Sequence, residues 1–149
     1  MTVIPHIIRE AVPDDISFIV STWLVSFSRS YPAYLIPKAI YDAKQTDVIT
    51  AILEKASVKV AVDPNNTDNI LSYIVFNEVN SNIIVHWTHT KKLVSGFGLA
   101  KALILSVNNE FGTNATFCSH LCKSFKELSK KYNLIYEPYY ILDLIRKNK

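Results

Sequence analysis

The segment Lys91-Lys-Leu-Val-Ser-Gly-Phe-Gly-Leu-Ala-Lys-Ala-Leu-Ile104 constrains this chain more than any other. It sets two of the three glycines, with a small Ala100, between a β-rich run and an apolar-periodic helix. Such a junction forces the backbone to switch period within a few residues. It also builds a place for an anion. The first turn of a helix carries unpaired backbone N–H groups and the positive end of the helix dipole. Glycines let a phosphate come close enough to use both. The plainer alternative is that Gly96 and Gly98 only turn the chain from strand to helix.

At 149 residues the sequence predicts one domain, residues 1–149, with a sizeable core. Hydrophobic residues make up 49% and charged residues 19%, which excludes a disordered chain. The net charge of +3 suits an anionic small ligand and falls short of the clustered basic surface of a dedicated nucleic-acid binder. The basic run Arg146-Lys-Asn-Lys149 reads as a solvated end. No apolar stretch reaches the roughly 18 residues that span a bilayer, and the N-terminus lacks the layout of a signal peptide. The expectation is a cytoplasmic protein with no membrane partner, in which Cys118 and Cys122 stay reduced and the Asn-x-Thr triplets at Asn65 and Asn114 carry no glycan.

Val3–Arg9 reads as a first strand. Pro13-Asp-Asp15 opens a helix, and Ile16, Ile19, Val20, Trp23, Leu24 and Phe27 follow at helical spacing up to a Tyr31-Pro32 break. A second helical region after Pro37 has a polar middle that allows two shorter helices. Val58, Val60 and Val62 alternate with Lys59, Ala61 and Asp63, the period of a strand. The turn-rich Asp63–Asn69 segment leads to strands at Ile70–Val79 and Ile83–Thr90, an antiparallel meander joined by Asn80-Ser-Asn82. A helix from Leu99 to Phe111 ends at Gly112. A fifth strand (Ala115–Leu121), a short helix (Ser124–Tyr132) and an extended stretch (Leu134–Ile145) broken at Pro138 complete the order β-α-α-β-β-β-α-β-α-β.

Within the glycine segment, Ser95-Gly-Phe-Gly98-Leu-Ala100 resembles the acyl-CoA pyrophosphate loop of the GNAT superfamily of N-acetyltransferases. That loop reads Arg or Gln, two residues, Gly, one residue, Gly or Ala, so Ser95 departs from it at the first position. The order of elements resembles the same superfamily. The resemblance implies an α/β (α+β) fold: a mixed, mostly antiparallel sheet with one splayed parallel strand pair and helices on both faces. It implies acetyl-CoA, or another acyl-CoA, as cofactor and no metal. The backbone of His89, Thr90 and Lys91 would pair with the pantetheine amides. Ser95, Gly96, Phe97, Gly98, Leu99 and Ala100 would offer N–H groups to the pyrophosphate. Lys91, Lys92 or Lys101 would restore the charge that Ser95 does not supply.

The implied reaction is direct attack of an amine on the thioester, with a backbone N–H near a strand bulge holding the oxyanion. The tyrosine acid of many members falls on Ser129 here, which leaves Tyr132, three residues on, as the candidate acid, against a core role set by its spacing from Phe125 and Leu128. His86 and His89 should face opposite ways on their strand. His89 and His120, on facing strands, could flank the amine as neutral-pH bases, although each alone reads as an ordinary strand residue. Cys118-Ser-His120-Leu-Cys122 is not a metal site: alternate strand residues lie about 6.6 Å apart, whereas zinc needs ligands converging at about 2.0–2.3 Å. Trp23 and Tyr31 on one side and Tyr136 on the other could wall an acceptor pocket, with core roles as the alternative.

The Trp23 helix, the Lys-Lys strand end and Tyr136-Glu-Pro-Tyr together are similar to small acetyltransferase-like proteins of phages. The expected partner is an amine acceptor, small molecule or protein, and a homodimer is compatible with the sequence. Two rival readings stand beside catalysis: a degenerate domain that keeps the fold as a binding or inhibitory protein, and a nucleic-acid-modifying protein whose DNA binding would weaken steeply with salt.

Overall fold

A computed structural model describes residues 4–30, 33–112, 115–120, 134–139 and 142. Six strands form one sheet in the order β1 (Ile7–Glu10), β2 (Ser57–Asp63), β3 (Asn66–Val79), β4 (Asn82–Thr90), β5 (Ala115–Cys118) and β6 (Ile135–Tyr136). The first four pair antiparallel; β4–β5 and β5–β6 pair parallel. Among the described residues three helices cover the sheet: α1 (Ile16–Ser28), α2 (Lys38–Lys55) and α3 (Leu99–Phe111). No helix among the described residues is long and apolar enough to cross a membrane.

The chain reaches α1 through a single ionic fastening. Asp15 sits in the turn Pro13–Asp15, accepts the Val12 N–H at 2.8 Å, and binds the Arg9 guanidinium at 2.8 Å. The hydrogen bond from Arg9 holds its carboxyl below the usual range. The apolar stripe of α1 then drops Ile19 and Trp23 into the core. The second helical region is one continuous helix of 18 residues, not two. Its polar middle lies mostly on the solvent side, and Tyr41, Ile49 and Ile52 are buried.

The sheet has a core on each face. Val60, Val62, Ile70, Tyr73, Val75 and Trp87 pack against Ile19, Trp23, Ile49 and Ile52 of α1 and α2. Ala61, Leu71, Ile74, Phe76, Ile83 and Val85 pack against Leu99, Leu103, Ile104 and Val107 of α3. Burying each of these large aliphatic side chains contributes about 1.5–3 kcal/mol before the entropy of ordering is set against it. Covering both faces explains why β3 is buried continuously from Ile70 to Phe76.

Two bulges keep those faces in order. Ala61 pairs with Ser72 and Val62 with Ile70, so Leu71 is extra on β3. Val75 pairs with Trp87 and Phe76 with Val85, so His86 is extra on β4. Each extra residue shifts the alternation by one. Val85 therefore meets α3, while Trp87, two residues on, meets α1 and α2.

Several boundaries differ from the sequence reading. β1 starts at Ile7, and Val3 lies outside the described residues. β3 takes in Asn66–Asn69, leaving only Pro64 and Asn65 as the turn. β5 ends at Cys118, where Ser119 and His120 bend away from the strand. β6 adds a second parallel pair beside the one expected. The expected helix at Ser124–Tyr132 and the basic tail lie outside the described residues.

Candidate functional site

The parallel joint between β4 and β5 is short. Ile83 pairs with Ala115, Ile84 with Phe117 and Val85 with Cys118, and the Ser119 N–H adds a bond to the Val85 carbonyl at 3.0 Å. β4 then runs on through the His86 bulge to Thr90, past the end of β5. Lys91 gives its N–H to the Leu71 carbonyl of β3 at 2.9 Å. Backbone groups alternate along a strand. His89 therefore also faces β3, and the Thr90 backbone turns to the β5 side. Of the three residues expected on the open edge, the geometry puts Thr90 there.

Beyond β4 a turn at Lys92–Val94 leads to the glycines. Gly96 and Gly98 have φ of 84° and 80°, values that side-chain-bearing residues rarely adopt. Gly98 caps α3 and has no side chain with which to bond the first turn. The first bond of the helix runs from the Ala102 N–H to the Gly98 carbonyl at 2.9 Å. The N–H groups of Leu99, Ala100 and Lys101 precede it, at the positive end of the dipole. Leu99 is buried against the sheet and anchors the turn. Ser95, Phe97 and Lys101 are exposed around it. The Ser95 hydroxyl bonds to the Lys92 carbonyl at 2.9 Å. This uncapped, glycine-lined helix start fits a pyrophosphate.

Lys91 does not serve the loop with its side chain. Its ammonium donates to Asn69 Oδ1 at 2.7 Å and lies 5.7 Å from the centre of the Phe18 ring. Lys92 and Lys101 are the exposed cations beside the glycines.

The histidines occupy three different settings. His89 lies against Tyr73 and Phe18, with ring centres 5.5 and 6.2 Å away. Burial lowers its pKa, and Lys91 adds to the effect. His120 is buried among Phe27, Trp23 and Trp87 at 4.9, 5.2 and 6.3 Å. The two rings share none of these neighbours. His86, the bulge residue, has no exposed surface. Its Nε2 meets Asn77 Oδ1 at 2.7 Å and its Nδ1 meets Ser119 Oγ at 2.6 Å. Ser119 Oγ also lies 3.1 Å from His120 Nδ1, and His120 Nε2 lies 3.1 Å from Gln45 Nε2. Burial pushes both His86 and His120 down to about 3.

Sequence reasoning missed Gln45, Asn77 and Ser119. Gln45 and Asn77 meet partners on other elements, and Ser119 links the neighbouring His120 to His86 on β4, so no spacing rule marks them. Trp23, expected on an acceptor wall, has no exposed surface and stacks on Trp87 at 5.8 Å. Core packing claims it. Tyr136 is half-exposed on β6, its pKa raised by burial and by Cys118 and Tyr139. Tyr31 and Tyr132 lie outside the described residues. Among the described residues no His, Cys, Asp and Glu cluster could hold a metal ion. A groove of about 310 Å³ opens between the end of α1 and the start of α2, lined by Leu24, Val25, Tyr34, Ile36 and Tyr41 among others. The Tyr41 hydroxyl donates to the Leu24 carbonyl at 2.6 Å, and burial pushes its pKa up to about 12.

No family model matches the sequence, and no curated protein is similar to it by sequence. Solved structures do match. Histone acetyltransferase HPA2 and related acetyltransferase from Corynebacterium glutamicum superposes with a TM-score of 0.64 at 16% identity, over 85% of this chain and 82% of that one. Ribosomal-protein-alanine N-acetyltransferase from Brucella melitensis gives 0.57 at 13% identity, over 85% and 90%. PaiA N-acetyltransferase from Thermoplasma acidophilum, in complex with coenzyme A, gives 0.52 at 12% identity over 73% of each chain. At such identities the likeness is one of architecture, and it agrees with the sheet order, the parallel joint and the glycine-led helix. The chain has the fold of the GNAT acetyltransferases.

Proposed function

We propose that the protein is an acyl-CoA-dependent N-acyltransferase that moves an acetyl group from acetyl-CoA to an amine by direct attack. What supports this reading most is one junction: β4 outruns its parallel partner, turns through Gly96 and Gly98, and delivers an uncapped α3. An extended ligand ending in a pyrophosphate matches both halves of it. Leu99, Ala100 and Lys101 offer N–H groups to the phosphates, Lys92 and Lys101 offer charge, and the Thr90 backbone meets the pantetheine amides. The thioester supplies the activated acyl group, so the protein has to position the amine, hold the oxyanion and move a proton. The groove between α1 and α2 is a fitting seat for the acceptor. Its apolar lining, with Tyr34 exposed at the mouth, favours an amine carried on an apolar or aromatic body.

Calorimetric titration with acetyl-CoA tests this. The expected result is micromolar affinity for the native chain and at least a hundredfold loss for Gly98→Asp, which sets a carboxylate against the pyrophosphate. Gly112→Asp is the control, since Gly112 has a φ of 65° at the other end of α3 and carries similar backbone strain. Absence of binding at millimolar acetyl-CoA, or equal loss in both variants, overturns the reading.

A further inference from the structure

The string of side chains across the β4–β5 joint has a direction. Asn77 Nδ2 donates to the Lys55 carbonyl at 2.9 Å, which turns Asn77 Oδ1 toward His86. A ring nitrogen 2.7 Å from an amide oxygen must carry the hydrogen. Neutral His86 is therefore protonated on Nε2, and its Nδ1 accepts from the Ser119 hydroxyl. The Ser119 oxygen is left to accept from His120 Nδ1–H. His120 Nε2 is then the bare nitrogen, facing the amide nitrogen of Gln45. One backbone carbonyl thus fixes the tautomers of two buried rings.

We propose that Asn77, His86, Ser119 and His120 form a proton relay, in which His120 Nε2 takes a proton from the acceptor amine and His86 holds the resulting charge. The catalytic part rests on the acyl-transfer reading above. His120 is the catalytic base; Ser119, His86 and Asn77 are positioning residues that act through it. The amine replaces Gln45 as the partner of Nε2, and Gln45 is half-buried on α2, at the outer end of the string.

The proton balance closes within the site. One N–H proton of the attacking amine passes to His120 Nε2. The His120 Nδ1 proton moves to Ser119 Oγ, and the hydroxyl proton of Ser119 moves to His86 Nδ1. His86 becomes an imidazolium, its Nε2–H still on Asn77 Oδ1. When the C–N bond has formed and the C–S bond breaks, the transfers reverse and His120 Nε2 protonates the departing thiolate. No electrons change hands and no other reactant is needed.

The surroundings explain why the charge should move. His120 is enclosed by Trp23 and Phe27 of α1, Gln45 of α2 and Trp87 of β4, none of them charged. No salt bridge among the described residues reaches either ring. A cation at His120 would be unsupported there. At His86 it meets an amide oxygen already aimed at it. Burial holds both rings neutral at rest.

Nitrogen-15 NMR of the histidine-labelled full chain is the deciding experiment, and it needs no substrate. The native protein should show His86 as the Nε2–H tautomer and His120 as the Nδ1–H tautomer; the opposite pair overturns the relay. In Asn77→Asp a carboxylate faces His86, which should take up a proton near neutral pH. The relay requires His120 to switch to its Nε2–H tautomer in the same transition. With Ser119→Ala added, that switch should vanish. A His86 that charges while His120 stays unchanged overturns the proposal. Thiol release from acetyl-CoA, with 2-phenylethylamine and a lysine peptide as amines, then reads the chemistry. Ser119→Ala should lower kcat at least tenfold with acetyl-CoA affinity unchanged, and an undiminished kcat overturns the catalytic role. No release by the native chain would instead count against acyl transfer itself and remove the catalytic end of the relay, leaving the tautomer result standing.

Discussion

Ser95 stands at the mouth of the glycine loop, where the resembling sequences carry an arginine or glutamine. Its side chain is exposed and spends its one hydrogen bond on the Lys92 carbonyl. Ser95→Arg should therefore place a guanidinium beside the pyrophosphate without disturbing the core. The expected gain is about tenfold in acetyl-CoA affinity, or about 1.4 kcal/mol, with an unchanged melting temperature; calorimetry and thermal melts check both. The glycines were legible because only a few backbone conformations demand glycine, and Gly96 and Gly98 both use one. Lys91 was not, because Asn69 and Phe18, which bind its side chain, come from other elements. Trp23 was open to either reading, since a large aromatic on a helical stripe suits a pocket wall and a core equally; stacking on Trp87 decides it.

Among the elements, the meander was the most readable. Period-2 alternation marked β2, and turn-forming residues marked both hairpins. The bulges at Leu71 and His86 left no trace in composition, because an extra residue is visible only against its partner strand. The continuity of α2 was hidden for a related reason: its polar middle belongs to a solvent-facing side, not to a break. The β3–β4 turn offers a test. Asn80 and Ser81 both have positive φ, 51° and 69°, in a two-residue hairpin loop that favours Asn-Gly. Ser81→Gly should relieve left-handed strain and, net of glycine's added freedom when unfolded, stabilise by about 0.5–1 kcal/mol. A rise of about 2–3 °C in melting temperature is expected, and a fall would show that Ser81 makes a compensating contact.

For the molecule as a whole, the buried histidines set the response to acid. Both are pushed down to about 3 in the folded chain, against an ordinary 6.5 when unfolded. Between those values the unfolded chain binds more protons, so stability must fall as pH drops from 6.5 toward 3. Each ring costs up to about 2 kcal/mol between pH 6.5 and 5. Asp15 acts in the same sense: its depressed carboxyl stabilises above the ordinary carboxylate range and stops doing so as pH falls through its lower folded value. Urea unfolding at pH 7 and pH 5 should show a lower midpoint in acid, and His120→Gln should remove about half of the histidine part. An equal midpoint at both pH values would mean that the rings are solvated. The architecture and its parallel β4–β5 joint were expected from the resemblance in element order; how far β4 outruns its partner was not, because that depends on where β5 stops. The His86 bulge bears finally on how this chain can vary in length. Deleting His86 would leave Trp87 next to Val85, and plain alternation would still turn Trp87 toward α1 and α2 and Val85 toward α3. The bulge is thus the position at which β4 can lose one residue and keep both faces.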